Sequence, residues 1–339
     1  MTASQVWRDL KTTMTDGTGI TINNSEHRID LASGGMIAIR STHYPDNLRG
    51  AGLDYVVLDE AAYMHPSVWP EVVRPMLLES QGSAAFLSTP RGKNWFWDLY
   101  MLGLNPDEAQ WTSFHYESWV NPKVAYEEIM AIQRTTTERV FREEYKAEFM
   151  DDSGQVFRGI QEAASAPFDA RYQAEKRYIM GVDWAKEQDY TCLVVIDSTT
   201  QHMVAIDRFN KISWDLQRER LKTLAERWHV DVIWAEANSM GTVLIEDLQR
   251  DGLPIRPFMT TARSKAPLIE GLVLALERGD LAILPDEVLL NELLSYQLER
   301  LPGGGYRYRA PAGLHDDTVI ATALAWCGVQ HGGFRVDFA

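Results

Sequence analysis

Residues 1–150 alternate short apolar runs with longer stretches of helical spacing. Three runs read as strands, 36–40 (MIAIR), 55–58 (YVVL) and 84–87 (AAFL), and the apolar positions between 66 and 78 repeat with a helical period. Strands separated by helices are not joined by hairpins, so the pattern predicts a parallel α/β sheet. Residues 124–150 become charged and helical. Residues 151–174 then lose periodicity and carry Gly154, Gly159 and Pro167, which predicts a linker.

The second half opens differently. Three closely spaced β-rich runs, 178–183, 191–197 and 203–208, have turn residues between them and predict an antiparallel meander. A helix over 214–228, a strand over 231–236, a helix over 242–250 and a short strand near Ile255 follow. Helices over 266–278 and 287–300 and a closing helix over 316–327 complete the pattern. Together these describe a mixed sheet flanked by helices. The expected fold class is α/β, with a parallel-sheet domain over 1–150, a linker over 151–174 and a mixed-sheet domain over 175–339. No internal repeat or low-complexity segment interrupts this order.

Composition narrows the class. At 339 residues, 45% hydrophobic and 24% charged, the chain has the make-up of a folded protein with room for two cores. No apolar run approaches the roughly 20 residues that span a bilayer. The first eleven residues lack the basic-then-apolar order of a secretion signal, so the expected location is the cytosol. The only two cysteines, Cys192 and Cys327, each sit in an apolar run, which excludes a disulfide or zinc framework. The net charge of −15 is evenly spread: 20 acids against 13 bases through Met150, and 28 against 20 beyond it. No basic domain stands out, which argues against a tight sequence-independent DNA binder acting alone. A nuclease is not excluded, because carboxylates that bind cations make an active site locally acidic.

Three acidic sites lie at the ends of elements, where a rigid scaffold aims side chains. Asp183 ends the first strand of the meander (MGVDWA), Glu236 ends the fourth strand (VIWAEAN), and Asp316 with Asp317 opens the last helix (LHDDTVIATALAW). Converging carboxylates able to hold two cations about 4 Å apart are what phosphodiester hydrolysis by two metals needs. Hard oxygen ligands select Mg2+ or Mn2+ over zinc. Taken singly, each acid is equally a solvated strand end, and Asp316 suits an N-terminal helix cap. The ordered set is the informative signal.

That order of strand Asp, strand Glu and helix-start Asp-Asp resembles RNase H-like nucleases, and specifically the nuclease domains of phage terminase large subunits. The resemblance implies that Asp183 bridges two metals, Glu236 holds one of them and Asp317 completes the set, with Asp316 as a further ligand. His315 is a candidate to orient a ligand or contact phosphate, or a simple polar cap. Glu187 and Asp189 on the first turn are candidate outer ligands. The segment 301–310 (LPGGGYRYRA) places Arg307 and Arg309 at a strand period, on one face of a hairpin able to contact phosphates, or of an ordinary surface hairpin. Lys186, Arg263 and Lys265 are weaker candidates for DNA contact.

In the first half, YVVLDE is an apolar strand ending in Asp59 and Glu60. In phosphate-binding ATPases such a Walker B step lets the Asp hold Mg2+ and the Glu polarise water. Alone it reads as often as an ordinary strand with a solvated end. Its context is Asn47 to Gly50, then Ser88-Thr89-Pro90-Arg91-Gly92, Asn121-Pro122 and FREEYKAEF over 141–149. Together these are similar to the second part of a terminase ATPase domain, in which Ser88 and Thr89 match the coupling step that senses the γ-phosphate. The resemblance runs from about Trp7 to Val329.

The departure from the family is the phosphate loop. No Gly-x-x-x-x-Gly-Lys-Ser/Thr occurs; Gly92-Lys93 is followed by Asn94, and Leu87 stands where the first glycine belongs. The expectation is an incomplete P-loop-ATPase-like sheet in an N-terminally shortened chain, no ATP turnover, and an apolar edge or face left uncovered. The expected activity is metal-dependent endonucleolytic cleavage of concatemeric DNA in a bacterial host's cytoplasm. Double-stranded DNA, the small terminase subunit and the portal protein are the implied partners, and no membrane is. Two other readings stay open from the residues: a Holliday-junction resolvase or transposase on the same nuclease fold, and a non-catalytic packaging assembly module.

Overall fold

A computed structural model describes residues 3–14, 19–50, 52–150, 154–184, 190–237, 240–300 and 306–331. The chain forms two compact units, Met1–Ser113 and Phe114–Ala339.

The first unit opens with helix α1 (Ala3–Met14) and an antiparallel sheet of β1 (Thr21–Asn23), β2 (Arg28–Asp30) and β3 (Met36–Ala38). The run at 36–40 was expected in a parallel sheet. Here it pairs antiparallel, because Leu31 and Gly35 close a tight turn and Gly34 takes φ +88°, so the chain folds straight back. The expected parallel pairing is made by β4 (Tyr55–Asp59) and β5 (Ser83–Leu87). Between them the stretch expected as one helix is broken into a wide turn over Val68–Val73 and the short α2 (Arg74–Met76). Pro70 and Pro75 lack the N–H a continuous helix needs. Val68, Trp69, Val73 and Leu77 still pack against Leu58, and α3 (Trp95–Leu104) follows β5 with half-buried Trp95 and Trp97.

The second unit begins with α4 (Tyr126–Gln133), α5 (Glu138–Glu144) and α6 (Ile160–Ala163). Residues 154–174 are packed on the unit's core: Phe157, Ile160, Ala163 and Ala166 are all buried there. Residues 114–150 also fall within this unit, with the Glu138 N–H donating to Glu277 at 3.0 Å and Arg158 pairing with Glu138.

The centre is a five-stranded sheet in the order β10-β9-β6-β7-β8. Its strands are β6 (Tyr178–Asp183), β7 (Thr191–Asp197), β8 (His202–Phe209), β9 (Val232–Glu236) and β10 (Ile255–Phe258). The meander β6–β7–β8 is antiparallel, and β9 and β10 add in parallel, as the spacing of runs predicts. The apolar runs of β6 and β7 are buried on both faces. On one face Met180, Val182, Leu193, Val195 and Ile233 meet the layer of α7 (Trp214–Trp228) and α8 (Met240–Arg250). On the other, Ile179, Cys192, Val194 and Trp234 meet α9 (Ala262–Arg278), α10 (Glu287–Ser295) and α11 (Asp317–Gln330).

α11 is buried from Asp317 to Gly328, which its apolar make-up on all sides requires. It lies close to the sheet because Gly181 has no side chain: a Cβ there would run into the Ala321 carbonyl oxygen. The expected helix 287–300 ends early. Tyr296 turns extended, and β11 (Gln297–Arg300) pairs antiparallel with β12 (Tyr306–Arg309), so the cross-strand ladder replaces the last helical turn. Both cysteines are free and buried, as expected of core residues.

Candidate active site

Strand periodicity builds the site. Asp183 shares a sheet face with Ile179 and Gly181, and Glu236 shares it with Val232 and Trp234. Both acids follow directly on the last β6–β9 pair, Val182 and Ala235, so they stand side by side at the carboxyl ends of two parallel strands. In the other direction Asp183 faces Cys192, which faces Arg208 on β8. Glu236, Asp183, Cys192 and Arg208 thus form a row across four strands, under the start of α11.

Asp183 is buried and hydrogen-bonded to Glu236, which is half-buried. Burial first, then Glu236, Asp317 and Asp316, push the Asp183 carboxyl well above its ordinary value. Asp317, the first residue of α11, is also buried; burial and Glu292 raise it to about 6 against the pull of Arg208. Arg208 Nη2 donates to Asp317 Oδ2 at 3.1 Å. His315 Nδ1 lies 4.0 Å from the same oxygen, and its ring meets Tyr190 edge-on. Asp316 is the helix N-cap residue, and its carbonyl accepts from Ile320 N–H. Its side chain makes no cap bond, contrary to the capping role it suited in sequence. It is drawn instead to Lys265 Nζ at 3.0 Å and the Tyr296 hydroxyl at 3.3 Å.

Among the described residues, no three Asp, Glu, His or Cys side chains stand in a ready-made ligand cage. The acids are tied instead to one another and to the protein's own cations, Arg208 and Lys265. Two of the residues in this network, Arg208 and Glu292, were missed in sequence. Glu292 is buried on the stripe of α10 that buries Leu289 and Leu293, and a carboxylate at that helical position was the available signal.

The other predicted residues lie apart from this cluster or outside the description. Lys186, Glu187 and Asp189 fall outside the described residues. Arg307 is exposed on β12, whereas Arg309 pairs with Glu299 at 2.9 Å and the Tyr308 hydroxyl donates to Glu270. Arg263 is exposed on α9. In the first unit Asp59 and Glu60 are exposed at the end of β4, and Glu60 takes the left-handed conformation (φ 57°). Ser88, half-buried beside Thr89, accepts from the Ala62 N–H at 3.1 Å, joining the Ser-Thr-Pro step to the turn after Asp59 and Glu60.

Residues 180–327 match the family described as the terminase RNaseH-like domain, and residues 8–164 match the N-terminal region of terminase large subunits of the T4likevirus type. The terminase large subunit of Thermus virus P23-45 is 34% identical over 323 residues, an alignment covering 88% of this chain and 67% of that protein. The chain belongs to the phage terminase large subunits. It spans about two thirds of the length of that Thermus relative. A crystal structure of the large terminase from another thermophilic bacteriophage shares the fold, with a TM-score of 0.53 at 14% identity over 94% of this chain and 80% of that one. The nuclease of the phage G20c large terminase, crystallised with bound magnesium, is 30% identical over 51% of this chain and 96% of that one, with a TM-score of 0.48. This terminase chain is therefore a mixed α/β protein with a terminase N-terminal region followed by an RNase H-like nuclease domain. No helix among its described residues is long and apolar enough to cross a membrane.

Proposed function

We propose that this terminase chain is a divalent-cation-dependent endodeoxyribonuclease that cuts concatemeric phage DNA during genome packaging. The observation that carries the reading is the approach of Asp183 and Glu236 at adjacent strand ends, hydrogen-bonded to each other, with Asp317 near enough to raise Asp183 further. The donor set fits hard cations: it is made of carboxylates, buried and mutually repelling, and a bound cation offsets that repulsion. Asp183 would bridge two ions of Mg2+ or Mn2+, Glu236 would hold one, and Asp317 with Asp316 would complete the set. Bound there, such ions lower the pKa of a water and offset charge developing on the phosphate. The protein's part is orientation: strand ends fix Asp183 and Glu236, Arg208 holds Asp317, and Lys265 holds Asp316.

Exposed Arg307, with Arg309 and Lys186, is assigned to the DNA backbone, and nothing resembles a base-reading module. The functional divisions are an incomplete P-loop-ATPase-like region over 1–150, a connection over 151–174 and the nuclease over 175–339. Asp59 and Glu60 are assigned the Walker B roles, and Ser88 and Thr89 the coupling step. ATP turnover is not assigned to these residues, which include no phosphate loop. Double-stranded DNA, the small terminase subunit and the portal protein are the proposed partners, in the cytoplasm of a bacterial host.

Supercoiled plasmid incubated with the full chain and Mn2+ tests the reading. Wild type should nick and linearise it, and D183A, E236A and D317A should each leave it intact. Plasmid left intact by wild type and variants alike would overturn the nuclease assignment and favour an assembly module.

A further inference from the structure

Asp317 is gripped by a guanidinium that is itself fixed from two sides. Besides donating to Asp317 Oδ2, Arg208 Nη2 lies 3.2 Å from Glu292 Oε1, and the guanidinium carbon lies 3.5 Å over the Tyr190 ring. Glu292 does more than balance this charge. Its other oxygen accepts from both the backbone N–H and the hydroxyl of Thr318, the residue after Asp317. One buried carboxylate therefore anchors both the arginine that holds Asp317 and the first turn of the helix that carries it. The four groups come from separate places in the chain: Tyr190 just before β7, Arg208 on β8, Glu292 on α10 and Asp317 with Thr318 on α11.

A buried ion pair is a poor device for stability alone, since apolar residues of the same volume hold a fold together as well. Its particular capability is geometric, because a planar guanidinium fixes a carboxylate oxygen in direction as well as distance. We propose that Arg208 and Glu292 are positioning residues for the cation site: Arg208 fixes one oxygen of Asp317, and Glu292 fixes Arg208 and the start of α11, so that the carboxylate is presented to a divalent cation in one orientation. The proposal rests on the nuclease reading above and adds to it two residues that touch neither cation nor DNA.

The charge of Arg208 and its shape make opposite predictions for a lysine. If the guanidinium acts only as a counter-charge, Arg208→Lys preserves its role. If it acts by geometry, lysine loses the planar fork and the stacking on Tyr190, and the site loosens although the charge is kept.

The test is a Mn2+ titration of the full chain, with free Mn2+ read by electron paramagnetic resonance, on wild type, R208K, E292Q, R208K/E292Q and D183N. Partners that orient metal ligands typically contribute about 10–100-fold to affinity. R208K and E292Q should each weaken Mn2+ binding by a factor in that range, and the double variant should be little weaker than R208K, because the two act as one unit. Thermal melting identifies folded variants; should R208K fail to fold, E292Q, which keeps an acceptor for Thr318, decides the matter. Binding by R208K and E292Q within about twofold of wild type, with D183N impaired, would overturn this proposal and leave the nuclease reading standing. Unimpaired binding by D183N as well would overturn the cation site itself.

Discussion

Gly181 on β6 lies directly beneath Ala321 on α11, so close that a single added methyl would collide with the Ala321 carbonyl oxygen and the Ala325 nitrogen. This close approach carries the start of α11, and with it Asp317, over the strand that ends in Asp183. Neither backbone atom can rotate away as a side-chain tip would. Gly181→Ala must therefore displace the helix from the sheet, at a cost of roughly 1–3 kcal/mol or more for overpacking. Urea unfolding should show that loss, and plasmid cleavage should fall well beyond the fraction of protein unfolded.

Asp197, at the end of β7, supplies a pH dependence away from the site. Burial by itself would raise its carboxyl, but hydrogen bonds from the Thr200 hydroxyl, Lys176 and the Thr199 and Thr200 amides prevail and hold its pKa below the ordinary value of 3.8. With the folded pKa the lower one, the stabilisation is present above the unfolded value near 4 and is lost as pH falls through the folded value. D197N should be less stable than wild type at pH 7 by about 1.5–3 kcal/mol, the range for hydrogen bonds to a charged group. The gap should close towards pH 3, as read by urea unfolding across that range.

For Asp317 the sign is reversed. Its carboxyl is raised to about 6, so between the ordinary 3.8 and 6 the folded chain keeps a proton that the unfolded chain releases. Stability therefore falls as pH rises through that window. Asn at this position cannot ionise and still accepts from Arg208. In EDTA, D317N should match wild type near pH 4 and exceed it at pH 7 by on the order of 2 kcal/mol, at about 1.4 kcal/mol per pK unit. A variant that is more stable yet inactive is the expected signature of a site strained for function.

The two arginines of β12 should separate in a DNA-binding titration. Arg307 is exposed, whereas Arg309 is engaged by Glu299 at 2.9 Å. R307A should weaken binding to duplexes of any sequence and lower the salt slope by about one. R309A should do less, because part of its charge is already neutralised. Equal effects of the two would contradict this assignment of roles.

What could be read in the sequence follows from how local each signal is. The apolar runs 178–183 and 191–197 became β6 and β7, because a buried strand carries its signature in its own residues. The run at 36–40 was apolar in the same way, yet its pairing depended on the turn just before it, and a parallel partner was expected where an antiparallel one formed. The helix predicted to residue 300 shows the same limit, since Gln297–Arg300 extends only because Tyr306–Arg309 is there to pair with it. At the site, Asp183, Glu236, Asp316 and Asp317 were visible as acids at element ends. Arg208 and Glu292 were not, because their role depends on which side chain from another element lies opposite. Asp316 lay between the two cases: its helix-start position was legible, but its partners Lys265 and Tyr296 are 51 and 20 residues away.

The central claim is that Asp183, Glu236 and Asp317 together hold divalent cations. Crystals of the full chain soaked in Mn2+, with data collected at the manganese edge, test it most directly. An anomalous peak within about 2.5 Å of carboxylate oxygens of Asp183 and at least one of Glu236 and Asp317 is the predicted result. A well-ordered site without a peak, or peaks only on surface acids elsewhere, would contradict the account.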